Sequence, residues 1–323
     1  MIESKNISVV VQGAIDLENT WLAMQSIRRY FPEAEIILST WEGSNVDNLP
    51  YDQVIFNKDP GGFQDAFAPH FTNNLSRQLV STQAGIKTTG RKYVLKMRSD
   101  ICFHSVRILN IFSEFPARNQ NYALFDGKII SCAYFTKKYL MNGKKVHPAP
   151  FHLSDWLSFG LRSDIEKLYA ADIPQEPKQS AYFATHPYRG AKRNLMGASH
   201  QYAPEQYILF HAVQKSFPEI KFNDYMDFDR ENIAFSEQVI ANILIVLPPK
   251  DLGFVCLKKA TGGDTYYKWC RHPLTVPYPL WKGLYRRDVF VKDYQKYCDS
   301  SYRSRFSRKM QMLVELVLKE VMR

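Results

Sequence analysis

The sequence predicts an α/β protein built on a mixed, mainly parallel sheet. Three observations predict it. Short apolar runs recur at 7–12, 35–39, 53–56 and 93–97, as strands buried on both faces do. Between them, 17–30 and 74–88 carry apolar residues at helical spacing. Several of the runs end in polar or charged residues, which is the pattern of strands whose carboxyl ends open into a cleft. The resulting order, strand–helix–strand–strand–helix–strand, is a Rossmann-type nucleotide-binding arrangement.

The first strand, Ile7–Gln12, is followed by Gly13, which suits a turn where backbone passes close to a ligand. In the helix from Leu17 to Tyr30, Trp21, Met24 and Ile27 recur at helical spacing, and Pro32 ends it. The second strand, Glu35–Ser39, leads into Thr40, Trp41 and Glu42. Contacts to a base or ribose fall at such a strand end, which makes Thr40 and Glu42 candidates. Gln53–Phe56 is a third strand, and Lys58–Gly62 a flexible loop. The helix from Asn74 to Thr88 has an apolar stripe of Leu75, Leu79 and Ile86. Asn74, Arg77, Gln78 and Ser81 share its other side. That side lacks the Lys and Glu of an ordinary solvated face. It is read either as solvated or as turned towards a polar ligand.

The strand Tyr93–Met97 ends in Arg98-Ser99-Asp100, read as the floor of an active site or as a salt-bridged turn. Strands are expected at 123–125 and 129–131, and a capping box at Ser163–Glu166. Asp155 is flanked by aromatic residues and has no such structural explanation. The polar stretch 173–203, with Arg189, Lys192 and Arg193, is long enough for a lid or binding loop. A helix opens at Pro204-Glu205, 235–257 is strand-like, and 303–322 is a basic amphipathic helix.

Composition narrows the functions. The 323 residues suit one large or two modest domains, and 45% hydrophobic residues can bury a sizeable core. No apolar run is long enough to span a bilayer, and no signal peptide precedes the first strand, so a cytoplasmic protein is expected. Five cysteines without paired spacing fit reduced thiols. The net charge of +10 calls for a polyanionic partner or surface. It is densest between Lys282 and Lys309, with none of the marks of a nucleic-acid module. There is no GxGxxG after the first strand and no GxxxxGK[ST], which disfavours NAD dehydrogenases and P-loop enzymes.

Several blocks, in order and spacing, resemble the WavE lipopolysaccharide synthesis family. They are Val9–Gly13, Tyr30–Gly43, Asn57–Gly62, Asn73–Gln78, Lys96–Asp100, Asp155-Trp156 and Pro204–Gln206. The resemblance covers roughly the first two thirds of the chain. It implies a GT-A-like glycosyltransferase domain over 1–234, followed by a carboxyl-terminal extension over 235–323 that ends in the amphipathic helix. GT-A enzymes carry an Asp-x-Asp at the end of a strand. Asp100 matches its last Asp, whereas Arg98 stands where the first is expected.

The resemblance implies a nucleotide-sugar donor met by Gln12 and Gly13 and by Asn74, Arg77, Gln78 and Arg98. Asp100 holds a divalent Mn or Mg, or else Arg98 and Arg77 do the ion's electrostatic work. Deprotonation of an acceptor hydroxyl needs a base, with Asp155 the first candidate and Glu205 the second. Aromatic neighbours would raise the Asp155 pKa by desolvation. His152, His200 and His211 are weaker candidates without metal spacing. The expected acceptor is a lipid-linked oligosaccharide of lipopolysaccharide or capsule, with the basic carboxyl end on the anionic inner face of the inner membrane. Two other readings stand beside this one: a sugar-phosphate nucleotidyl- or phosphotransferase, and a non-catalytic scaffold of an assembly complex.

Overall fold

Every residue of the first strand is buried, and the main sheet is laid out to either side of it. The computed structural model describes residues 2–142, 145–186, 198–247 and 249–257. The basic group at Arg189, Lys192 and Arg193, the charge between Lys282 and Lys309 and the helix expected at 303–322 lie outside the described residues. So do Cys270 and Cys298; among the described residues Cys102 and Cys132 are free thiols.

In chain order the first half contains β1 (Ile7–Gln12), α1 (Leu17–Tyr30), β2 (Glu35–Trp41), β3 (Gln53–Asn57), β4 (Phe63–Gln64), β5 (Thr72–Asn73), α2 (Leu75–Lys87), β6 (Tyr93–Arg98), β7 (Ile101–Phe103) and α3 (Arg107–Ile111). Then follow β8 (Ile129–Cys132), β9 (Lys137–Asn142), β10 (Lys145–His152), β11 (Leu157–Leu161), α4 (Arg162–Leu168), α5 (Tyr182–Thr185), α6 (Pro204–Ser216), α7 (Arg230–Ile243), β12 (Leu244–Leu247), α8 (Pro249–Leu252) and β13 (Phe254–Cys256).

The main sheet has seven strands in the order β12-β8-β11-β6-β1-β2-β3. All run parallel except β11, which lies antiparallel between β6 and β8. This is the mixed, mainly parallel sheet expected. The first four elements of the sheet form the Rossmann-type half, and their carboxyl ends lie side by side. Gln12 is in register with Ser39 of β2 and with Arg98 of β6. Both faces of the inner strands are covered and these strands are mostly apolar, whereas the edge strand β3 is partly exposed.

Local chemistry sets the helix ends. Asp16 caps α1 by accepting from the Asn19 N–H, and Arg28 and Arg29 in the last turn suit the helix dipole. Pro204 opens α6, where its missing N–H costs nothing. In α2, Gly85 lets the helix settle onto the sheet. A Cβ there would stand 2.4 Å from Cγ1 of Val10 and 3.3 Å from Cβ of Ser39. Gly85→Ala should therefore lower stability by about 1–3 kcal/mol despite alanine's better helix propensity. The check is a lower urea midpoint at an unchanged slope.

Three local expectations are corrected. Residues 123–125 form no strand, because the Arg118 guanidinium takes the carbonyls of Phe125, Asp126 and Gly127 at 2.6, 2.7 and 3.3 Å. Ser163–Glu166 is not a capping box. Leu161 stands at the N-cap position of α4 with no side-chain cap bond, while Asp164, fully buried, accepts from the N–H groups of Asp126 and Gly127 at 2.9 and 2.8 Å. Of the strand-like run 235–257, residues 244–247 and 254–256 are strands, whereas 235–243 belong to α7, which Asp229 caps by accepting from Glu231 and Asn232. That helix runs through position 234 without a break and delivers β12 to the sheet beside β8. Among the described residues no helix is long and apolar enough to cross a membrane.

Candidate active site

A cavity of about 590 Å³ opens at the carboxyl ends of β1, β2 and β6, where ligands sit in open α/β sheets. Its floor comes from the first-strand turn. Gly13 has φ +112°, a conformation that L side chains rarely adopt, and its N–H donates to the Ser39 carbonyl at 3.0 Å. Gln12 beside it accepts from the Ser81 hydroxyl of α2 at 2.7 Å. Ser99 ties the end of β6 to the same turn through the Ala14 carbonyl at 2.8 Å.

The polar side of α2 borders this cavity, with Asn74 also exposed to solvent. Asn74, Arg77 and Gln78 line it. Arg77 is held bidentately by Asp59 at 2.7 and 2.7 Å and donates to Asn74 at 3.0 Å. Gly62 makes room for this group, since a Cβ there would lie 2.9 Å from Nη1 of Arg77.

A second guanidinium stands at the end of β6. Arg98 donates from Nε and Nη2 to the two Asp100 oxygens at 3.0 and 2.7 Å, and its Cζ lies 5.2 Å from the centroid of the Trp156 ring. Asp100 is 2% exposed. The carboxylate expected to hold a metal is thus neutralised by its own arginine. Among the described residues no three His, Cys, Asp or Glu side chains are grouped to hold a metal ion. A divalent cation here would meet one carboxylate, Asp100, whose two oxygens are already engaged by Arg98.

Two further carboxylates enter from the opposite wall. Asp155 precedes β11, and its Oδ2 accepts from Gln78 of α2. Beneath it, the buried Lys96 ammonium donates to the Asp155 carbonyl. Burial brings the Lys96 ammonium down to about 8, against the pull of the Asp155 charge. Glu205 sits in the first turn of α6. Burial, and then the charge of Asp155, push its carboxyl up to about 7, with Lys137 opposing. Two carboxyl groups in one cavity, unlike in environment, are a means of parting the roles of acid and base.

Phe71 and Thr72 of the β4–β5 hairpin form part of the rim. Asp65 pins that hairpin. It accepts from the N–H groups of Phe67 and Ala68 at 2.9 and 3.0 Å and of Ser199 at 2.7 Å, and lies 3.3 Å from His200. Burial raises its pKa, but the His200 contact and the Ser199 and Phe67 N–H groups outweigh it and hold it at about 2. A depressed carboxylate stabilises the fold above its ordinary value of 3.8. That contribution is lost as pH falls towards about 2. Asp65→Ala should cost about 1–3 kcal/mol near neutrality and flatten this acid limb, as measured by urea unfolding from pH 7 to pH 2.

Most of the residues expected at the site come together here, but Thr40, Glu42 and the three histidine candidates do not. Thr40 is fully buried, bonded to Ser44 at 3.2 Å, and Glu42 points to solvent. Trp41, between them, lines the cavity instead, because neighbouring side chains on a strand point to opposite sides. None of His152, His200 and His211 lines it. His152 is 2% exposed and bonded to the Phe135 carbonyl at 2.9 Å, and His211 to the Tyr207 carbonyl at 2.8 Å. The sequence reading missed Asp59, Trp41, Phe71 and Lys96. The last carried a signal: a lysine amid an apolar strand run is costly and asks for a reason.

The family described as WavE lipopolysaccharide synthesis matches residues 7–315, so the match extends well into the carboxyl-terminal third. A search of curated protein sequences finds no match. Among solved structures, 4-diphosphocytidyl-2C-methyl-D-erythritol synthase from Anaerococcus prevotii DSM 20548 is 14% identical. It covers 72% of this chain and 97% of its own, with a TM-score of 0.33. An active-site mutant of LgtC is 13% identical and covers 56% of this chain and 64% of its own, also with a TM-score of 0.33. At that score neither likeness extends to what this chain does.

Proposed function

Because the chain belongs to the WavE lipopolysaccharide synthesis family, we propose that it is a glycosyltransferase of lipopolysaccharide assembly. It moves a sugar from a nucleotide-sugar donor to a lipid-linked oligosaccharide. One observation carries this reading: a single cavity at the strand ends holds two carboxylate-anchored guanidiniums and two further carboxyl groups.

The chemistry assigns their parts. The acceptor hydroxyl attacks the anomeric carbon, and its proton passes to Glu205, whose carboxyl is tuned near the operating pH. Asp155 presents a carboxylate to the positive charge that develops on the sugar ring. The bond from that carbon to the phosphate oxygen breaks, and its electron pair leaves with the nucleotide. Arg98 and Arg77, held in place before the reaction, receive that negative charge. Nη1 of Arg98 has no hydrogen bond among the described residues, so it can donate to a phosphate oxygen. Gln12, the Gly13 turn and Trp41 form the nucleotide end.

The +10 charge, densest between Lys282 and Lys309, supports attachment to the anionic inner face of the inner membrane. The test is to incubate the protein with nucleotide sugars and lipid-linked acceptor, and to identify the products. Sugar transfer releases a nucleoside mono- or diphosphate. Release of pyrophosphate would replace this reading with nucleotidyl transfer. No ligand-induced rise in melting temperature and no product with any donor would replace it with a scaffold.

A further inference from the structure

Lys96 occupies the middle of β6, in register with Val10 of β1 and Ser158 of β11. None of it reaches solvent. A buried ammonium is among the most expensive groups a core can hold. Its only described hydrogen bond goes to the carbonyl oxygen of Asp155, and it lies 5.3 Å over the Tyr169 ring. That ring is itself fixed, with its hydroxyl 3.0 Å from Ser158 and the Tyr169 carbonyl bonded by Gln83 at 2.8 Å. The ammonium is buried and does not line the cavity. The peptide it holds carries the side chain that faces Glu205, and the neighbouring Trp156 carbonyl accepts from the Arg98 N–H at 3.2 Å.

We propose that Lys96 is a positioning residue: it clamps the Asp155 main chain from below and so aims the Asp155 carboxylate into the cavity. This rests on the glycosyltransferase reading for its catalytic consequence, though not for its geometry. An apolar residue of the same length would pack in the strand at least as well. Keeping a lysine there sacrifices stability at a place where only the site gains.

Lys96→Met separates the two effects. Replacing a buried charge by an apolar group of similar shape is often neutral or stabilising, so the melting temperature should hold or rise. Turnover should fall at least about tenfold, with the donor KM within about threefold, because the loss is one of aim and not of binding. A crystal structure of the variant should show the Asp155 carboxylate away from Gln78. Lys96→Gln keeps a donor, should lose less turnover, and serves if the Met variant does not fold. Wild-type turnover in the Met variant, or an unmoved Asp155, would overturn the proposal. If the wild-type protein transfers no sugar at all, the glycosyltransferase reading fails, and the position of Asp155 in the variant still decides the role of Lys96.

Discussion

Glu205→Gln is expected to fold normally and to transfer sugar about 10²–10⁴-fold more slowly than the wild type. The amide keeps the shape of the first turn of α6 but cannot take a proton. Wild-type kcat/KM should rise with pH through about 7, where burial and the charge of Asp155 place the Glu205 carboxyl, and the variant should lose that limb. Stability runs the other way. The folded carboxyl holds its proton to about 7, above the ordinary value of 4.5, so between those values the native state binds more protons than the unfolded chain. Wild-type stability therefore falls as pH rises through this window, and Glu205→Gln, having no proton to lose, should not show the fall. Rate and stability profiles on the same two proteins check both halves. A variant with wild-type turnover would leave Asp155 as the base.

Arg98→Ala should be the most damaging change to the fold at this site. It strands Asp100, whose side chain is 3% exposed and accepts both of its charged hydrogen bonds from Arg98. Breaking a buried pair by removing one partner costs about 3–5 kcal/mol. Transfer should fall by a further factor of about 10²–10³, the usual cost of losing one donor aimed at developing negative charge. Arg98→Ala combined with Asp100→Ala should recover most of the stability and none of the turnover. Urea midpoints and single-turnover rates on the two variants separate these contributions. Equal activity in the double variant would remove Arg98 from the leaving-group site.

Much of this was legible in the sequence where a period carried it. The side of α2 bearing Asn74, Arg77, Gln78 and Ser81 was readable because four residues at helical spacing were all polar and mostly uncharged. The ends of β1 and β6 were readable because apolar runs stopped at Gln12 and Arg98. Other features depended on neighbours distant in the chain. Arg77 meets Asp59 through a loop whose path no local pattern records. Ser163–Glu166 satisfied a capping rule, but Asp164 went to the backbone of 126–127, where a buried carboxylate found two donors. Thr40 and Glu42 were misplaced by one position, enough on a strand to send a side chain the wrong way. The Glu205 carboxyl owes its high pKa to burial and to a residue 50 positions upstream, and neither is written in its own surroundings.

The clasp at Asp65 also bears on how the protein is made. Its hydrogen bond with the Ser199 N–H joins residues 134 positions apart. The Rossmann-type half can collapse on its own residues as it leaves the ribosome, since domains fold largely in order of synthesis. The rim cannot close until Ser199 has emerged, and Glu205 follows only a few residues later. A nascent chain thus carries the floor of the cavity before it carries the whole of its rim. Contacts of such long span form slowly, so closing the rim of the pocket is a late step in the making of the molecule.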